Sequence, residues 1–152
     1  MILAAYDDGL YRVLFLGHML AFLVAFAPAV INPVLAARLK AQDDFGTLGR
    51  MAGHMASMGK LIHFPALVAL GGFGIAMVFQ SDPAFAFDQT WVSLAFLVWL
   101  AIIGVIWGVV LPSERKLADG EVEAEKKVAV GGQVTTLLTL VMLYLMIWKP
   151  GL

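Results

Sequence analysis

The sequence predicts an all-α membrane protein, a four-transmembrane-helix bundle with both chain ends on the outer side (N-out/C-out). Three observations carry that class. Hydrophobic residues make up 61% of the 152 and charged residues only 14%, with a mean hydropathy of +0.89; soluble domains run at about 45–50% apolar and 25% charged. The excess gathers in four runs, at 10–39, 61–79, 91–111 and 128–148, and about 20 helical residues suffice to cross a hydrocarbon core. Basic residues crowd two of the three connections: Arg38, Lys40, Arg50 and Lys60 in the first, Arg115, Lys116, Lys126 and Lys127 in the third. The opposite side carries only Arg12 and Lys149, so the positive-inside rule puts connections one and three in the cytoplasm.

The length suits a single domain, 1–152. A net charge of -1 gives no basis for nucleic-acid binding, which leaves the lipid bilayer and other membrane chains as partners. The absence of cysteine excludes disulfides, thiolate metal sites and a cysteine nucleophile. The opening Met1-Ile2-Leu3-Ala4-Ala5-Tyr6-Asp7-Asp8 lacks a basic segment, so no cleaved signal peptide is expected.

Each element follows from local chemistry. Asp8 is placed to cap the first helix, Pro28 and Pro33 are expected to kink it, and Ala21, Ala25 and Ala29 give it a smooth contact face. Asp43, Asp44, Phe45 and Gly46 read as a turn, with Thr47 capping a helix from Leu48 that lies at the interface or runs on into the second span. Gly71, Gly72, Gly74 and Ala76 let a neighbour approach the second span. A short loop from Ser81-Asp82-Pro83 to Thr90 leads into the third span, which carries Gly104-x-x-x-Gly108 and is expected to stop at Pro112. A charged segment, 113–127, precedes the fourth span, where Gln133, Thr136 and Thr139 are expected to bind neighbouring helices. Tyr11, Trp91, Tyr144 and Trp148 are placed for an outer aromatic belt.

Two groups of residues are candidates for chemistry. Met51, His54, Met55 and Met58 bring thioethers and an imidazole together, ligand types that suit Cu(I). At about 100° per residue, however, Leu48, Met51, Met55, Met58 and Ile62 form one stripe, the pattern of ordinary packing, with His54 at its edge. His18 and His63 lie within spans, where an ionisable group needs a partner or a cavity. A haem clamp between them fails on depth: helical rise separates them by about 14 Å, whereas two axial ligands sit only about 4 Å apart. Either histidine alone remains a haem candidate, against the plainer role of an interhelical hydrogen bond. No acidic residue lies mid-membrane, which disfavours a pump or channel. A transporter would need Asn32, His63 and Gln133 to converge.

The segments Leu16-Gly17-His18, Ile62-His63-Phe64-Pro65-Ala66, Leu111-Pro112 and the ending Leu145-Met146-Ile147-Trp148-Lys149-Pro150-Gly151 resemble a family of small four-span bacterial membrane proteins of unknown function. The resemblance covers most of the chain and implies a four-helix fold in the bacterial plasma (inner) membrane, with no activity attached. More distantly, span one is similar to copper-resistance D-type membrane proteins and bacterial membrane protoporphyrinogen oxidases. The oxidases pair a first-span histidine with a third-span lysine, and residues 91–111 contain no lysine. The expectation is a non-catalytic accessory or structural subunit of a larger membrane assembly, or a homo-oligomer, with no catalytic residue and no cofactor. The alternative is a membrane redox protein that binds haem b or copper through His18 or His63.

Overall fold

In the computed structural model, residues 8–81 and 84–151 are described. The readings of residues 1–7, of Asp82 and Pro83, and of Leu152 lie outside them. Every regular element among the described residues is helical. Four helices are long and apolar enough to cross a membrane: α1 (Gly9–Ala41), α2 (Phe45–Gln80), α3 (Thr90–Ala118) and α4 (Ala124–Trp148). The chain is thus a multi-pass helical bundle, with N- and C-terminal ends at one end and the two charged connections at the other.

The helix limits exceed the apolar runs. The 36 residues of α2 span about 54 Å at 1.5 Å per residue, far more than a hydrocarbon core of about 30 Å. Its first turn is capped by Asp44, not Thr47: the Asp44 carboxylate accepts the Thr47 backbone N–H at 2.9 Å, so the helix starts at Phe45. Those bonds to Thr47 hold the Asp44 carboxyl below its ordinary pKa, which keeps the cap charged at neutral pH. The cap weakens only as pH falls through that lowered value. Asp8 caps α1 as expected, accepting from Leu10 N–H at 3.0 Å, and the same side chain receives the Gln80 amide from the end of α2.

Prolines do not end these helices. α1 runs unbroken through Pro28 and Pro33. α3 continues past Pro112 to Ala118, against the expectation that Pro112 would stop it. The reason lies just upstream. Residues Ile106–Val110 form a π-helical turn, closed by Leu111 N–H donating to Ile106 O. Residues Gly59–His63 of α2 do the same, closed by Phe64 N–H on Gly59 O, immediately before Pro65. A proline cannot donate, and its ring crowds the carbonyl four residues back. A wide turn placed just before it shifts that carbonyl and lets the helix proceed.

The π turns sit against each other. Phe64 packs on Trp107 at 4.7 Å between ring centroids, and the Lys60 ammonium lies 5.8 Å from the Trp107 ring. Gly59 leaves room for Leu111. Below them, toward the charged connections, the first part of α2 packs along the last part of α3: Gly49 faces the Leu117 carbonyl and Gly53 faces Ala118. Leu48, Ala52, Leu117 and Ala124 form the core there, and Lys40 of α1 pairs with Glu125 of α4 at 3.0 Å. Toward the termini the arrangement changes. The α1 backbone runs close to α2 and that of α3 close to α4, while α2 and α3 stay apart as backbones and meet through side chains, Leu67 and Leu70 against Ile102. The helices are closely joined along the charged end, and at the other end their backbones separate into two pairs bridged by side chains.

Two further expectations are corrected. Tyr11 and Trp91 are buried in a core with Phe85 and Val92, so of the predicted belt only Tyr144 and Trp148 are exposed, stacked at 5.2 Å. The hydroxyls of Thr135, Thr136 and Thr139 donate to carbonyls four residues back in their own helix, and Gln133 is exposed. A hydroxyl in an apolar helix satisfies itself locally when a carbonyl one turn back is in reach.

Candidate functional site

The polar chemistry of the spans is organised around backbone carbonyls. Pro28 has no N–H, so the Val24 carbonyl lacks its normal helical donor. His63 of α2 supplies one: its Nδ1 lies 2.7 Å from Val24 O. His18 of α1 reaches the other way, with Nδ1 3.0 Å from Leu70 O of α2. Because a carbonyl only accepts, each Nδ1 carries a proton, and in the neutral ring Nε2 holds the lone pair. A third such bond comes from α3, where Trp99 Nε1–H donates to Leu67 O at 2.9 Å.

Glycines make two of these bonds possible. Leu70 and Leu67 already accept from the backbone of residues four further on, Gly74 and Gly71. The His18 ring lies where a Cβ on Gly74 would meet it at 3.4 Å. The Trp99 ring fills the space of a Cβ on Gly71. Gly17 is likewise covered by the Phe73 ring. The small residues of α2 therefore admit side chains from both neighbouring helices to its backbone.

The two histidines are separate sites. Their bonds place them about 9–10 Å apart along the helix axes, six residues on α1 and seven on α2. That is closer than the sequence suggests, and still well beyond a shared haem iron.

His18 lines a cavity of about 240 Å³ between the two helix pairs at the terminal end. Its walls are apolar and rich in rings, among them Tyr11, Phe22, Trp91 and Trp99, and Lys149 is the charged residue on it. The Lys149 ammonium lies over the Phe85 and Trp91 rings, at 4.4 and 5.6 Å. No buried side-chain nitrogen or oxygen among the described residues lacks a partner. The His18 Nε2, for which no hydrogen bond is found among the described residues, is therefore open to space rather than sealed in packing.

The methionine group is arranged differently from its sequence pattern. The buried face of α2 there is Leu48, Gly49, Ala52, Ala56 and Gly59. Met51 and Met55 are half-buried beside it and Met58 is exposed. Small residues won the interior because α3 approaches too closely for thioethers. His54 is exposed and, with Arg50 and Gly53, lines an open groove of about 370 Å³ against Leu117 and Ala118. No methionine lines that groove, and Arg50 donates to Thr47 Oγ1 at 2.7 Å beside it. Neither cavity is lined by Asn32, His63 or Gln133. Sequence reasoning missed Trp99 and Lys149. The spacing of Gly71 and Gly74 behind Leu67 and Leu70 was the available signal for a donor reaching over the helix backbone.

Comparison with protein-family models, with characterised proteins and with solved structures finds no match to this chain.

The Val24 carbonyl gives a direct test. His63→Ala should lower stability in detergent by about 1 kcal/mol, since the Val24 carbonyl, exposed on the bundle and without its helical donor, loses its partner. In a Pro28→Ala background the residue 28 N–H can close the helical bond, so the same His63→Ala change should cost much less. Equal costs in both backgrounds, measured by thermal unfolding, would show that His63 does not serve Val24.

Proposed function

We propose that the protein is a non-catalytic subunit of the bacterial plasma membrane that associates through α3, either with a larger membrane assembly or with a second copy of itself. The observation that carries this reading is the state of the Gly104-x-x-x-Gly108 face. A Cβ on Gly104 or Gly108 would meet no side chain or neighbouring backbone within 4 Å, and both glycines are exposed, next to exposed Leu97, Leu100 and Trp107. The glycines at 17, 71 and 131 are already filled by Phe73, Trp99 and Val110. The face on α3 is open for a helix from outside, the close approach that small residues favour in lipid.

In this reading the charged end, with connections one and three, is cytoplasmic and both termini are outside. The natural chain has no cysteine, so single cysteines report sidedness cleanly. A membrane-impermeant maleimide should label Gly151→Cys in intact cells and label Asp119→Cys only after lysis; the reverse pattern would overturn the orientation. For association, Gly104→Leu or Gly108→Leu should reduce cross-linked or co-purified complex about tenfold, equivalent to about 1.4 kcal/mol. Gly72→Leu, on an open position of α2, should leave it unchanged. A wild-type protein that stays monomeric and alone in native-membrane extracts would sink the reading.

The second reading, a redox protein carrying haem b or copper at His18 or His63, has one observation in its favour. Each imidazole has its Nδ1–H held by a carbonyl, the arrangement that orients Nε2 toward a metal. A visible Soret band in the purified protein, or stoichiometric copper by metal analysis, lost on His18→Ala or His63→Ala, would establish it. Met51, His54, Met55 and Met58 gain no comparable support, since His54 faces a groove without methionine.

A further inference from the structure

We infer that the ring-lined cavity at the terminal end binds a lipid-borne phenol: a single substituted aromatic ring whose hydroxyl donates to His18 Nε2. This goes beyond the association reading, from which it is independent.

Size comes first. The cavity holds about 240 Å³, and an apolar cavity of about 150 Å³ takes up benzene. One ring with substituents fits the volume. A porphyrin, with several times that ring area, does not fit without displacing Trp99 or Phe22. Shape and wall chemistry agree: Tyr11, Phe22, Phe85, Trp91, Phe96 and Trp99 surround the space, and aromatic rings favour offset or edge-on contact with another ring.

Polarity selects the hydroxyl. His18 lies nine residues into α1, about 13 Å from the helix start, deep enough to be among hydrocarbon. Its Nδ1 proton is committed to Leu70 O, so the neutral ring can only accept at Nε2. An unpaired acceptor at that depth is costly. A hydroxyl donor relieves it; an acyl chain or a carbonyl without a proton cannot. Two structural features then suit a ligand arriving from lipid. Phe15, Met19, Phe96 and Leu143 both line the cavity and reach the outer surface of the bundle, so it opens sideways into the membrane. Lys149, held over Phe85 and Trp91, closes the end toward the aqueous phase.

The test uses full-length protein in phosphatidylcholine vesicles and a diazirine-bearing alkylphenol as photoprobe. Cross-links should map to cavity residues such as Met19 and Trp99. 4-Heptylphenol should compete at least tenfold better than its methyl ether, 4-heptylanisole, about 1.4 kcal/mol for the one hydrogen bond. His18→Leu should abolish that preference. Because His18→Leu also loses the bond to Leu70, Ala95→Phe serves as a second variant: it fills the cavity from α3 and should abolish cavity labelling while His18 keeps its carbonyl. Equal competition by phenol and ether in the wild type would overturn the inference and mark the cavity as an acyl-chain slot. Cross-links outside the cavity would overturn it too, as would a bound haem lost on His18→Leu.

Discussion

A carbonyl inside a bilayer must find a donor within the protein, and this bundle is arranged by that requirement. Pro28 removes the donor for Val24, and His63 restores it from the next helix. Without such a partner the exposed carbonyl would cost several kcal/mol in hydrocarbon. The bond does more than fill a gap: it sets the register of α1 against α2. His18 on Leu70 O confirms the same register from the other side, since Val24 pairs with 63 and 18 pairs with 70 in one antiparallel alignment. The close packing of Ala21, Ala25 and Phe26 on Leu67 and Leu70 then follows from that fixed alignment.

The carbonyls of Val24, Leu67 and Leu70, which accept from a neighbouring helix, share one sequence feature. The residue four positions on, whose N–H would normally take the carbonyl alone and whose side chain would normally cover it, is Pro28, Gly71 or Gly74. Proline frees the acceptor outright. Glycine leaves it bonded yet uncovered, so a ring can lie across the backbone and donate a second time. The helix-breaking residues of this sequence are thus sites of cross-linking between helices. The π turns before Pro65 and Pro112 extend the principle, because they let α2 and α3 pass a proline and continue into the charged end where they pack together.

The four helices were legible because composition and run length decide them, and the Asp8 cap was legible because its chemistry is local. What was not legible depended on partners. The positions of Tyr11 and Trp91 suggested a belt, yet both turn inward, since Phe85 from the middle loop folds over them. Thr136 and Thr139 looked like interhelical glue, but each donates to a carbonyl one turn back in its own helix. The methionine stripe had the right period for a buried face. The interior went instead to Gly49, Ala52, Ala56 and Gly59, one or two positions round the helix, because α3 comes close enough to demand small residues. Periodicity finds that a face exists; the distance to the opposing helix decides which residues occupy it.

Division of the bundle into two pairs has a physical origin in the same small residues. Where Gly49, Gly53 and Gly59 face α3, the helices close on each other. Beyond the π turns the α2 glycines change their role: Gly71 and Gly74 receive the rings of Trp99 and His18. A tryptophan laid across α2 holds the α3 backbone at a ring's distance, so toward the termini the two helices meet only through side chains. The space this leaves is the cavity, with Trp99 as its spacer and His18 on its wall. A site formed in this way is coupled to the fold, since the hydrogen bond that fixes the His18 tautomer is also one that holds α1 to α2.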